Sequence, residues 1–208
     1  MWVDLSWPVT DGMPVYPGDR ETRLTQEKWL EKDQYNAYVL STGLHAGTHM
    51  DAPSHLLPNA SGMKEMPLSR FIAPGILLNV RGQKEIKRPI LWEGTLTGKA
   101  VLLFTGMEAA YGTEGYYSGH PIVSVELAEL FVKEDIAFLG MDMPSPDLPP
   151  FPVHKLLLQA GIPIVENLRG LEGLTGDFEV AAFPLNIHAE ASPVRAVARV
   201  FHDKTSRP

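Results

Sequence analysis

Short apolar runs, closed by turn-forming or charged residues, recur through the second half of the chain. GILLNV (75–80), AVLLFTG (100–106), IAFLGMD (136–142), IPIVEN (162–167) and RAVARVFH (195–202) are rich in branched side chains, and such runs predict buried strands. Between them the period changes. In SVELAELFVKED, Ser124 stands where an N-cap belongs, and Leu127, Leu130 and Phe131 recur at helical spacing. FPVHKLLLQAG predicts a second helix, with Pro152 in its first turn and Gly161 as its stop. Helices alternating with strands predict an α/β architecture for this half.

The first half follows no such period. DGMPVYPGD and DAPSHLLPNASGMKEMPLSRF hold many of the 18 prolines and 18 glycines and predict long irregular loops, which inside a compact domain usually carry function. No repeat, low-complexity tract or linker divides the chain, so residues 1–208 are expected to form one domain.

At 208 residues, 44% apolar and 21% charged, the chain can build one substantial core. Its 18 Lys and Arg against 25 Asp and Glu give a net charge of -7 without a basic block, which argues against a nucleic-acid partner. No stretch approaches the roughly 20 apolar residues of a membrane span. MWVDLSWPVT does not read as a secretory or transit signal, having no basic residue ahead of an apolar run. The expectation is a cytoplasmic protein. The absence of cysteine excludes thiolate-rich zinc sites, so any metal must be held by nitrogen and oxygen.

Such donors are concentrated in LHAGTHMDAPSH (44–55). On a helix His45 and His49 would share a face, but Asp51, two residues on, would be thrown to the opposite side. In an extended strand His45, His49, Asp51 and His55 have one parity and one face. Full extension would still set the His45 and His49 Cα atoms about 13 Å apart, so a bend is expected between them. Gly47 permits that bend, and Pro53 ends strand pairing after the aspartate. Buried without a cation, these groups would leave several polar atoms unsatisfied, at about 1–3 kcal/mol each. The segment therefore predicts a metal site.

Two histidines and a carboxylate serve at least two chemistries, hydrolysis by ion-activated water and oxygen activation on iron. For the second, His49, Asp51 and a remote His154 would form the triad. KLLLQAGIPIV after His154 lacks the arginine that such oxygenases use to hold an oxo-acid, and His45 would have no role.

HAGTHMDAPSH (45–55) resembles the H-x-G-T-H-x-D-x-P-x-H signature of the cyclase family of metal-dependent hydrolases, which includes bacterial kynurenine formamidase (arylformamidase) and isatin hydrolase. PVYPGD, LGMDMPSPD, HKLLLQAGIPIVENL and PLNIHAEASPVRAVA resemble further blocks of kynurenine formamidases, in order, along nearly the whole chain. The resemblance implies the swivelling β/β/α fold, a homodimer and two divalent ions per chain, zinc or else manganese. It implies that His45, His49 and Asp51 hold one ion, that Asp51 bridges to the second, and that His154 and Glu166 complete the second. His154 opens a helix and Glu166 ends the following strand, which would bring both to one sheet edge. His55 matches the family's proton donor and acceptor, beside the ions rather than on them.

The implied reaction is attack of ion-activated water on an aryl formamide, N-formylkynurenine giving kynurenine and formate. A cyclic amide, imide or lactone such as isatin is the alternative substrate, and a metal-binding protein without catalysis is the competing class. Two positions depart from the family pattern. Tyr16 replaces a tryptophan that lies against the substrate aryl group, and can still stack while adding a hydroxyl. Glu190 stands where an aspartate is commoner. Asp142 is expected to orient a ligand histidine, Arg195 to form an ion pair, His120 and His188 to lie in loops, and His202 in solvent.

Overall fold

The computed structural model describes residues 1–87 and 94–201. Its strands are β1 (Trp2–Asp4), β2 (Arg23–Lys28), β3 (Ala37–Ser41), β4 (His49–Asp51), β5 (Ile72–Asn79), β6 (Glu85–Ile86), β7 (Ala100–Phe104), β8 (Ile122–Val123), β9 (Phe138–Met141), β10 (Ile164–Glu166), β11 (Phe178–Pro184) and β12 (Ala191–Val200). Its helices are α1 (Leu30–Asp33), α2 (Glu114–Ser118), α3 (Val125–Lys133) and α4 (Pro152–Gln159). The main sheet runs β1-β12-β11-β5-β7-β9-β10-β4, and β4 pairs again with β12. Seven strands therefore close into a barrel. β5, β7, β9 and β10 are mutually parallel, while β11, β12 and β4 run antiparallel to their neighbours.

The expected α/β architecture is present, and burial explains why its central strands read as unbroken apolar runs. Every residue of β7 is buried. Ala100, Leu102 and Phe104 join the barrel interior with Val165, Phe178 and Ala196, whereas Val101 and Leu103 meet Leu127, Phe131 and Leu157 of the helical layer. A strand covered on both faces has no polar face to show. β12 differs from its expectation as a wholly buried strand: Val194, Ala196, Ala198 and Val200 face inward, and exposed Arg195 and Arg199 alternate with them. On that outer face Arg195 forms a two-pronged ion pair with Asp4 at 2.9 and 2.7 Å, as expected of it. His202 lies outside the described residues.

The helices start and stop where their sequences predict. Ser124 Oγ accepts the Leu127 N–H at the head of α3, Pro152 opens α4, and Gly161 follows α4 with φ +69°. The loops of the first half are also present, with three short 3-10 turns between residues 53 and 70. The β2–β3 hairpin was not foreseen. It pairs with no barrel strand and none of its residues is buried, so its sequence carries no apolar alternation to read.

Candidate metal centre

β4 and β10 run antiparallel, with His49 opposite Glu166 and Asp51 opposite Ile164. Met50 and Val165 fill the barrel interior, so strand alternation turns His49, Asp51 and Glu166 outward, where His154 reaches them from the first turn of α4. The expected sheet edge is thereby corrected. The barrel is closed, and these groups meet on its outer wall.

Strand is confined to His49–Asp51, between the bend expected at Gly47 and the end of pairing expected at Pro53. Gly47 supplies the expected bend with φ +64°, and a β-carbon there would meet Met13 Cε at 2.6 Å. Beyond the bend the His45 ring lies 4.9 Å from that of His49. Pro53 opens a 3-10 turn, Pro53–His55, that carries the His55 ring to 4.4 Å from His45. Two turns, rather than parity, bring in the outer histidines.

Asp51 Oδ1 lies 3.0 Å from His45 Nδ1 and 3.6 Å from His49 Nε2, while Oδ2 lies 3.7 Å from His154 Nε2. Glu166 offers Oε2 to His49 Nε2 at 3.3 Å and Oε1 to His154 Nε2 at 3.4 Å. Both carboxylates thus span more than one imidazole, although the sequence resemblance paired Glu166 with His154 alone. Donor atoms of His49, Asp51 and Glu166 lie within 4.8 Å of one another, as do those of His45, Asp51 and His55. His55 is therefore within ligand reach as well as proton reach. Glu190, the other departure noted in the sequence, faces His45 Nε2 at 3.5 Å.

Among the described residues, five buried side-chain polar atoms lack a hydrogen-bond partner, and His49 Nε2, Asp51 Oδ1 and Glu166 Oε1 are three of them. Imidazole nitrogens and carboxylate oxygens are donors that a divalent ion takes. The set fits such a cation.

Without a cation, protons compensate the carboxylates. Burial pushes the His49 imidazole down, but the Glu166 carboxylate 3.3 Å from its Nε2 and the charge of Asp51 outweigh this and raise it from 6.5 to about 9. Burial likewise opposes the Asp51 charge at His45, whose value is raised on balance. The Asp51 carboxyl, pushed up by burial, is held well below 3.8 by the His154 and His45 imidazoles beside it. A raised histidine pKa stabilises the fold fully below the unfolded value of 6.5, and that contribution is lost as pH rises through about 9. Metal-free protein is therefore expected to lose on the order of 3 kcal/mol from His49 between those limits. A divalent ion held by the same groups would displace these protons, so added zinc should bind more tightly over the same range. Melting curves of chelator-treated and zinc-loaded protein at the two pH limits check this, and a metal-free Tm that does not fall would contradict it.

Around the cluster, His49 Nδ1 donates to the Gly47 carbonyl at 2.9 Å, which also accepts Asn167 Nδ2 at 2.9 Å. Tyr116 Oη donates to Asn167 Oδ1 at 2.6 Å and completes that chain. His154 Nδ1 donates to Asp147 Oδ1 at 2.6 Å. The contact with a cluster histidine that was expected of Asp142 is made by Asp147. Asp142 instead accepts from Thr105 N, Thr105 Oγ1 and Gly106 N, all at 2.7 Å, and holds the turn after β7. One signal could have found Asp147: a carboxylate just upstream of a proline-started helix is placed for that helix's free N–H groups.

The cluster lines a cavity of about 240 Å³ whose walls include Tyr16, Tyr111, Tyr117, Pro144 and Phe151. Tyr16 and Tyr117 meet edge to face at 5.6 Å. His45, His49, Asp51, His55, His154, Glu166 and Tyr16 all reach this one space. His120, which donates from Nδ1 to the Pro121 carbonyl at 3.0 Å, and exposed His188 do not line it.

A family model named Cyclase matches residues 3–148. The chain belongs to the cyclase family. Kynurenine formamidase of Geobacillus thermodenitrificans (strain NG80-2) is 30% identical to this cyclase-family chain over 204 residues, covering 95% of the chain and 97% of the relative. That of Bacillus cytotoxicus is 29% identical over 206 residues, with the same shares covered. Among solved structures, isatin hydrolase A from Labrenzia aggregata superposes with a TM-score of 0.85 at 23% identity, over 97% of this chain and 94% of that one. A structure described as a potential metal-dependent hydrolase with cyclase activity gives 0.81 at 24% identity, over 98% and 99%. The barrel is thus the fold of cyclase-family proteins, as the resemblance implied.

Proposed function

We propose that this cyclase-family chain is a metal-dependent amidohydrolase that cleaves the carbon–nitrogen bond of an aryl formamide, with N-formylkynurenine the first candidate. The observation that carries this reading is the convergence of His45, His49, Asp51, His154 and Glu166, three of them with unpartnered buried atoms, on one aromatic-walled cavity. These five residues would hold two divalent ions, zinc or manganese. Bound there, the ions supply Lewis acidity toward a carbonyl oxygen and lower the pKa of water.

The rest falls to the chain's own groups. Burial holds the His55 imidazole below its ordinary 6.5, so it is neutral at pH 7 and able to take a proton from the attacking water. It passes that proton to the leaving nitrogen as the carbon–nitrogen bond breaks, so that amide and water give amine and carboxylic acid. The Tyr16 and Tyr117 rings form a wall against which a substrate aryl group can pack.

Turnover of aryl formamides, isatin and simple lactones, measured with metal content by elemental analysis, tests the reading. Formamide hydrolysis abolished by chelator is expected. Turnover of isatin alone would move the substrate to cyclic amides, and metal without any turnover would favour a binding protein.

The β2–β3 arm supports a homodimer, since Trp29, Leu30, Tyr35, Tyr38, Val39 and Leu40 on and around it are exposed and a two-stranded unit is marginal alone. A monomer in sedimentation at micromolar concentration would remove the dimer.

A further inference from the structure

Two ligand imidazoles are anchored through the nitrogen that faces away from the cluster, and their anchors differ in charge. His49 Nδ1 leans on the neutral Gly47 carbonyl, and His154 Nδ1 on the Asp147 carboxylate. Asp147 is only 4% exposed, and its second oxygen accepts the N–H groups of Val153 and His154 at 2.6 and 3.2 Å. An ionised carboxylate only accepts, so the hydrogen in its contact with His154 must sit on Nδ1. We propose that Asp147 is a positioning residue: it commits the His154 proton to Nδ1 and thereby keeps Nε2 open to a divalent ion beside Asp51 and Glu166. This rests on the metal-dependent reading of the site.

The two helix N–H groups make the idea sharply testable. In Asp147→Asn the amide oxygen must face those two donors, because the alternative sets NH2 against N–H. The amide NH2 then faces His154 Nδ1 and needs its lone pair, which forces the neutral ring to carry hydrogen on Nε2 and closes that nitrogen to metal. Asp147→Ala removes the anchor but leaves either tautomer available. It also strips α4 of its acceptor, which Asn retains.

Zinc affinity, read by competition with a chromophoric chelator, should therefore fall about tenfold in Asp147→Ala and about a hundredfold or more in Asp147→Asn, the upper end of what orienting groups contribute. Thermal stability of the metal-free proteins should rank oppositely, with Asp147→Ala the weaker. A purely structural role would make Asp147→Ala worse in both measurements. Imidazole 15N spectra at saturating zinc, where the cation takes the place of the compensating protons, add an independent readout: His154 should carry its one proton on Nε2 in Asp147→Asn and on Nδ1 in the wild type. Tighter zinc binding by Asp147→Asn than by Asp147→Ala, or a singly protonated His154 with its hydrogen on Nδ1 in zinc-saturated Asp147→Asn, would overturn the assignment. If the zinc ranking held while no amide or lactone were turned over, the hydrolase reading would fail and the role of Asp147 would stand. A wild-type protein that bound no zinc would remove both.

Discussion

Asp51→Ala is expected to strip the protein of its divalent metal and to lower kcat/KM by at least about four orders of magnitude, equivalent to roughly 5 kcal/mol of transition-state stabilisation. Asp51 is the one carboxylate in the cluster whose oxygens face three imidazoles, those of His45, His49 and His154. It also belongs to both sets of mutually close donor atoms. Removing it should therefore empty both positions, whereas loss of His45 should weaken chiefly one. Asp51→Asn, which keeps the volume and removes the charge, separates loss of ligation from a cavity in the wall. Elemental analysis after dialysis reads the metal, and circular dichroism reads the fold. Two ions per chain at full occupancy in Asp51→Ala would show the bridging assignment to be wrong.

His55→Ala is expected to do the reverse, keeping the metal while lowering kcat by about a hundred- to ten-thousandfold, the usual worth of a general acid or base. The pH profile gives the sign. Burial holds His55 below 6.5, so wild-type activity should fall on the acid side as this ring protonates below that value and can no longer accept a proton. The variant should lack that limb, with metal content followed at each pH to separate proton transfer from ion loss. Because His55 also lies within ligand reach of His45 and Asp51, the metal readout decides its role. Metal lost with the side chain would make it a ligand, and an unchanged kcat would make it a bystander.

Much of the centre was legible over short distances. Donor types, the bend at Gly47 and the break at Pro53 are local matters of side-chain chemistry and backbone freedom. The choice between Asp142 and Asp147, five positions apart in one segment, was not legible. Both are buried carboxylates, and only the path of the chain into α4 sets Asp147 against His154. The reach of Glu166 to two imidazoles follows from a strand register that pairs it with His49, and nothing near Glu166 in the sequence specifies that pairing.

Legible in the chain alone were the strand and helix periods of the second half, the Ser124 cap of α3, the proline start and glycine stop of α4, the loop character of the first half and the nitrogen and oxygen donors of residues 45–55. Those properties depend on residues within one or two turns of one another. Long-range packing, by contrast, closes the strands into a barrel, leaves β12 a solvated face, puts the cluster on the outer wall and brings Asn167 to steady Gly47 from 120 positions away. Each of these depends on which distant segments become neighbours, and that is fixed by packing the whole chain rather than by the preferences of any part of it.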